Sequence, residues 1–473
     1  MTPSPPLRGL TRRLALLFAG LFLAACTSSA PPTGDVRTSG AADRTPGSST
    51  PAGTPAMFDQ SLVHEVSISF DQTAYEAMIE TYASSRKKEW IEATVTIDGT
   101  PYQRAGIRLK GNSSLARLAE VGRDGTDEAS PKPSAHSLPW LVDLDRFVAG
   151  QSHGGVLEFV IRSNDSATAL NEAVALELLQ RAGLASQEAI AVRFRANDGE
   201  PVLRLVIEHP DDVWMARSFS TSGALYKAES SGDYSYRGDD PDAYDEVFDQ
   251  EAGEENADLT PLIEFLKFIN GADDETFAAE IGKRLDVDAF ATYLAMQELL
   301  DNFDDIDGPG NNSYLYYDAA SGRFTLVPWD YNLALGAGGD LDRAPGGSGD
   351  GNVILPWPGA SFDPGAPGAS LEPPPPGASF APDGGPAFEG PAPGGGVVVG
   401  HARPNVLSER FLEVDHYKAL VDDRKAEMTT QLLDSGTAAA ILAEWVALLH
   451  SQASDLVTAE TVATEARRVA SHF

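Results

Sequence analysis

An α+β protein is what this sequence predicts, with a mixed sheet in the N-terminal part and a mostly helical C-terminal part. Between residues 60 and 207, apolar residues alternate with period two in some stretches and follow helical spacing in others. After residue 258 helical spacing dominates. Two segments, 26–57 and about 337–403, are poor in large apolar residues and fit neither pattern. Within 58–473 the remainder is long enough for one large domain or two intimate subdomains. No 20–50-residue repeat is present, which excludes a solenoid.

The elements follow in order. Residues 63–70 (VHEVSISF) alternate as a strand, and a helix over 72–82 follows. Residues 91–97, the turn Asp98-Gly99 and a strand ending at Leu109 make a hairpin, because Asp-Gly supplies the positive φ values that a two-residue turn needs. Residues 167–182 have helical spacing and stop at Gly183. Strands near 188–195 and 201–207 flank Asn197-Asp198-Gly199. Pro261 starts a helix whose apolar stripe is Leu262, Phe265, Leu266 and Ile269, and a second helix covers 287–300. A hairpin sets residues 314–317 opposite 324–327, and 405–473 read as helix. The stretch 337–403, with its proline run 373–376 and Gly394-Gly395-Gly396, reads as a loosely packed or disordered insertion.

The first 25 residues read as an export signal. Arg8, Arg12 and Arg13 precede a short apolar run, residues 14–23, and Leu23-Ala24-Ala25-Cys26 has the form of a lipobox. Cys26 is the only cysteine and the expected lipidation site, which excludes disulfides and cysteine zinc sites. The Ser/Thr/Pro/Gly-rich residues 26–57 then form a flexible tether. The chain carries 35 Lys+Arg against 70 Asp+Glu, and loss of the three signal arginines leaves 32 against 70, a net charge of about −38. Such a balance argues against nucleic acid or an anionic lipid surface as partner. The expected location is that of an exported, membrane-anchored lipoprotein facing the periplasm or the cell exterior.

Zinc-protease (His-Glu-x-x-His), Walker and G-x-S-x-G motifs are absent, and the eight histidines do not cluster. Carboxylate chemistry remains. A helix ends in Asp301, Asp304, Asp305 and Asp307, a hairpin follows, and its second strand runs into Pro328-Trp329-Asp330-Tyr331-Asn332. An acid on the helix-end loop and one just past the hairpin can meet on one side of a sheet. Protein kinases use such a pair, one Asp taking the hydroxyl proton and a second Asp with an Asn holding Mg²⁺. A solvated helix end or a structural Ca²⁺ loop around Asp305-Ile306-Asp307-Gly308 is the alternative, although Phe303 and the missing distal Glu break the EF-hand pattern. Trp329 fits either a core aromatic or a stacking platform.

The chain resembles the CotH kinase family, the spore-coat-protein-H type of atypical protein kinase. Asp98-Gly99 with Gly106-Ile107-Arg108-Leu109-Lys110-Gly111-Asn112-Ser113-Ser114, Asp143-Leu144-Asp145-Arg146-Phe147, Asn164-Asp165, Glu208 and Leu225-Tyr226-Lys227 match in family order. Asn302-Phe303-Asp304, Asn312-Ser313-Tyr314-Leu315-Tyr316 and Pro328-Trp329-Asp330-Tyr331-Asn332 resemble its active-site block, and the helical tail from Asn405-Val406-Leu407 to Phe411-Leu412 its end. The resemblance spans about 60–336 and 403–450. It implies a kinase-like fold, ATP with Mg²⁺ or Mn²⁺, and phosphate transfer to Ser or Thr of secreted or cell-surface proteins. Carried over, Asp304 is the catalytic base, Asp330 a metal ligand assisted by Asn332, and Lys110, Lys227 and Glu208 hold phosphate or orient a lysine; each of these last three also fits a surface salt bridge. Unlike the family, this chain has no cation between Lys132 and Arg146. The rival reading is a non-catalytic surface or coat module that binds a partner or polysaccharide on the same fold; a third is a Ca²⁺-stabilised adhesin-like protein.

Overall fold

Side-chain alternation along each N-terminal strand gives one face to a closed barrel and the other to surrounding helices or solvent. The computed structural model describes residues 56–115, 118, 134–229, 232–253, 257–306, 308, 312–337 and 405–473, together with the backbone of two short strands inside the Gly/Pro-rich stretch. The signal segment with Cys26, nearly all of the tether, most of 337–403, Lys132 and Asp307 lie outside the described residues.

The barrel strands are β1 (His64–Phe70), β2 (Ile91–Ile97), β3 (Thr100–Leu109), β4 (Trp140–Asp143), β5 (Glu158–Ile161), β6 (Ala189–Ala196) and β7 (Val202–Glu208), in the order β1-β2-β3-β4-β5-β7-β6. All pairings are antiparallel except the one that closes the ring, where β1 runs parallel to β6 with Val66 opposite Phe194. Asp98 (φ 47°) and Gly99 (φ 79°) form the expected tight turn, and Asp98 Oδ1 also accepts from the Glu65 amide at 2.9 Å. Ile68, Val95, Ile107, Trp140, Val192 and Phe194 fill the interior. Helix α1 (Gln72–Ser85), capped by Asp71, adds Tyr75, Met78 and Ile79 to that core.

Helix α2 (Leu170–Arg181) joins β5 to β6. Every residue from Leu170 to Leu179 is buried, so it is a central helix rather than an amphipathic surface one. It ends where expected: Gly183 takes φ 82°, and the Leu184 amide reaches back to the Leu179 carbonyl at 3.1 Å. On β6, Ile190 and Val192 point into the barrel, whereas Ala189 and Ala191 belong to the second core that surrounds α2.

The second half begins with α3 (Asp212–Ser218) and a four-stranded antiparallel sheet, β11-β10-β8-β9, built from β8 (Gly223–Ala228), β9 (Phe248–Ala252), β10 (Ser313–Asp318) and β11 (Arg323–Pro328). The hairpin register is the expected one, Tyr314 opposite Val327 and Tyr317 opposite Phe324. Helices α4 (Thr260–Gly271), α5 (Asp274–Glu280) and α6 (Val287–Leu299) precede β10; α7 (Val406–Glu413), α8 (Asp415–Met428), α9 (Thr437–Gln452) and α10 (Ala459–Ala470) end the chain. In the stretch expected to be loose, β12 (Val353–Leu355) pairs antiparallel with β13 (Val397–Val399), both runs of β-favouring residues. The class is α+β, as the periodicity predicts. Barrel closure was not foreseen, because short β4 and β5 lack a long alternation.

Candidate active site

Trp329, the first residue past β11, stands at the centre of two charged clusters. Only 6% of it is exposed, and its ring meets His209 edge-on at 6.4 Å and Tyr314 edge-on at 5.4 Å. It is therefore a buried aromatic, and the charged groups are arranged around it.

The basic cluster comes from the end of β3. Arg108 and Lys110 alternate onto the same side of the strand, and Gly111 turns the chain with φ 86°; a Cβ there would sit 2.5 Å from Ser114 Oγ. Lys110 is buried, its Nζ 2.9 Å from His209 Nε2 and 5.7 Å from the centroid of Trp329. Burial pulls the Lys110 ammonium down to about 8; Glu251 opposes this, and Lys227, Arg108 and Lys88 add to it. Burial first, then Lys110, keeps His209 well below its ordinary value, so the neutral ring accepts from the lysine. His209 Nδ1 lies 2.9 Å from Glu158 Oε2, yet the approach is not aligned as a hydrogen bond. Lys227 on β8 is opposite Tyr314 and pairs with Glu229. Lys88, in the loop before β2, donates to Asn112 Oδ1 at 2.8 Å and is pushed by burial, then by Lys227, to about 8. Tyr314 Oη is buried and makes no hydrogen bond.

The acidic cluster joins the segment between β5 and α2, where Arg162 and Asp165 lie, to Glu172 on α2 and to Asp330 and Asn332 past β11. Arg162 Nε donates to Glu172 Oε2 at 3.0 Å, and its Nη2 donates to Asp330 Oδ1. Asn332 Nδ2 donates to Asp165 Oδ2, while Asn171 on α2 holds the Asn332 carbonyl at 2.7 Å. Burial raises Glu172 and Asp165 against the pull of Arg162. Burial would lower Arg162, but Asp330 and Glu172 raise it overall. Glu172 is 2% exposed and its Oε1 accepts no hydrogen bond. Asn164 (φ 54°), Ala169 (φ 53°), Asp330 (φ 64°) and Leu335 (φ 53°) are left-handed without being glycine, so strained backbone gathers where these side chains meet.

Three carboxylates and an Asn oxygen around one guanidinium suit a hard divalent cation in donor chemistry. Among the described residues, however, they do not converge as a ready-made metal cage, because Arg162 occupies Asp330.

Asp304 lies between α6 and β10. Asn312 Nδ2 grips both its carbonyl and its Oδ2 at 2.9 Å. Since Ser313 is opposite Pro328, Asn312 and Trp329 leave the same end of the hairpin. Gln297 on α6 ties the two loops together, donating to Tyr331 Oη and accepting from Asn302 Nδ2 at 2.8 Å. The segments that carry Asp304 and Asp330 are thus tied together through Gln297.

Of the residues singled out from sequence, Lys110 and Lys227 share the basic cluster and Asp330 and Asn332 the acidic one. Asp304 lies outside both, held by Asn312, and Glu208 stands apart as well. Its carboxylate binds Arg217 on α3, 2.6 Å for Nη2–Oε2, and accepts from the Glu188 amide at 2.8 Å. Lys110 meets the next residue, His209, instead of Glu208, because neighbouring residues at a strand end point to opposite sides. Sequence reading also passed over Lys88, Arg162 and Glu172. Only Arg162, two residues before the Asn164-Asp165 landmark, had a signal near it.

The comparison with known families decides the kinship. The CotH kinase protein family matches residues 139–464. This chain belongs to that family. The matched span holds Asp304, Asp330 and Asn332 but begins after β3, so Lys110 and its Gly-Asn-Ser-Ser neighbours stand on the resemblance and the geometry alone. Inner spore coat protein H of Bacillus subtilis (strain 168) is 24% identical over 168 residues, which cover 34% of this chain and 45% of that protein.

Proposed function

We propose that this CotH-family protein is an extracytoplasmic kinase, related in fold to protein kinases, that transfers the γ-phosphate of ATP to Ser or Thr of secreted or surface proteins. The observation that carries this reading is buried Lys110 against the Trp329 ring, with Asp330 and Asn332 on the residues that directly follow that tryptophan. Desolvated Lys110 and Lys88, with Lys227, suit phosphate oxygens. Asp330 and Asn332, with Asp165 beside them, suit Mg²⁺ or Mn²⁺, which when bound would neutralise charge on the transferred phosphoryl group. Asp304 takes the proton of the attacking hydroxyl as its oxygen bonds to the γ-phosphorus and the bond to the β-phosphate oxygen breaks, releasing ADP. The likeness to a spore coat protein supports a surface or coat setting. The lipobox supports an anchor at Cys26; the Cys26→Ser variant should leave the membrane fraction after a salt wash, and its retention there would remove the lipoprotein reading.

The rival, a binding module on the same fold, draws on the contact of Arg162 with Asp330. Titration calorimetry of MgATP beside a phosphorylation assay separates the two. Asp330→Ala should lose metal-dependent nucleotide binding and activity together. Asp304→Asn should keep binding while transfer falls by roughly 10²–10⁴-fold, the usual share of a general base. Wild-type protein that binds no nucleotide with either cation would leave the binding module standing.

A further inference from the structure

Arg162 is out of place for a simple metal site. It continues the β5–β7 ladder, its amide donating to the Leu205 carbonyl at 2.9 Å, so its backbone is fixed. Its side chain is 14% exposed and bridges two acids from different elements, Glu172 on α2 and Asp330 past β11. The two contacts differ in setting. Glu172 is almost wholly buried, whereas the Asp330 side chain is 27% exposed. The cluster holds Glu172, Asp330 and Asp165 against this one guanidinium, and Glu172 Oε1 is left without a donor. A second cation is therefore electrostatically welcome, but at Asp330 Oδ1 it would compete with the guanidinium that sits there.

We propose that Arg162 is a built-in counter-cation that locks Asp330 in the metal-free protein and must release it, while staying on Glu172, before a divalent cation binds. The inference rests on the metal role proposed for Asp330. The consequence is a self-inhibited resting state. Binding of metal alone is weak because it competes with an internal positive charge. Metal arriving with nucleotide is favoured, because the phosphates offer the displaced guanidinium a new anionic partner. Arg162 is thus a positioning residue that sets the order in which ligands bind.

The test is Mn²⁺ binding to the full-length protein in detergent, without nucleotide, read by loss of the free Mn²⁺ electron paramagnetic resonance signal. Arg162→Lys keeps a charge for Glu172 but cannot span both acids. The double variant Arg162→Met with Glu172→Gln removes the almost wholly buried acid together with the arginine, and the more exposed Asp330 is left to the added cation. Both should bind Mn²⁺ roughly tenfold more tightly than wild type, and Asp330→Asn more weakly. If both variants bind no tighter than wild type while Asp330→Asn still weakens binding, Arg162 helps to build the site, and the proposal fails without touching the kinase reading. If Mn²⁺ binding ignores Asp330 in every protein, the metal reading of Asp330 fails and takes this proposal with it.

Discussion

Glu208 and His209 are adjacent in sequence and belong to two differently built regions. Glu208 faces Arg217 and the Glu188 amide, so its buried carboxylate meets three donors, one guanidinium giving two of them. His209 faces Lys110, whose ammonium is buried, hydrogen-bonded to a neutral ring and crowded by further cations, with Glu251 as an opposing charge. The first region satisfies its own charge and holds β7 to α3. The second keeps a lysine whose burial outweighs the pull of Glu251. Buried charge is retained against its desolvation penalty only when something offsets it. At Glu208 that is another part of the chain; at Lys110 it is Glu251 in part and, in our reading, a ligand. The same contrast separates the Glu208–Arg217 pair from Glu172 and Asp165, which share a single arginine.

The largest effect should come from Lys110→Met. MgATP affinity should fall by about 100-fold, roughly the 3 kcal/mol of a charge-assisted contact, whereas the melting temperature at pH 7 should change little, because the ammonium's desolvation penalty goes together with its attraction to Glu251. A lower melting temperature with intact binding would make Lys110 structural and erase the contrast. Glu208→Gln should behave in the opposite way. Unfolding in urea should show a loss of about 1–3 kcal/mol, with MgATP affinity within about twofold of wild type. Loss of binding on that substitution would bring Glu208 into the site.

The smallest effect sharpens the comparison through pH. In the folded protein Lys110 releases its proton near 8, and in the unfolded chain near its ordinary 10.5. Between these values the unfolded state binds more protons, so stability rises with pH. The penalty for charging Lys110 is complete below about 8 and gone above 10.5. Wild type should therefore gain on the order of 1 kcal/mol relative to Lys110→Met across this window, measured by urea unfolding at stepped pH. A pH-independent difference between the two would mean that the ammonium is better solvated than its burial implies.

Legibility in the sequence followed the range of the interaction. Hairpins at Asp98-Gly99 and Asn197-Asp198-Gly199, the stop of α2 at Gly183 and the register of β10 against β11 depend on residues close in the chain, and turn chemistry with periodicity specifies them. The candidate residues Asp304, Asp330, Asn332, Lys110 and Lys227 were readable by type, since they stand in local motifs. Their partners were not readable. Arg162 meets Asp330 across 168 positions, and Lys110 meets His209 across 99.

By itself, then, the sequence determined the α+β class, most of the strands and helices with their turns, the acids at the two loops and the family to which they belong. The tertiary structure alone decided that β1 closes a barrel on β6, that His209 rather than Glu208 faces Lys110, and that Arg162 stands between Glu172 and Asp330. The physical reason is one of range. Alternation and capping are local and fix which way a side chain points, whereas the partner of a buried charge depends on what distant elements bring to it once water is excluded.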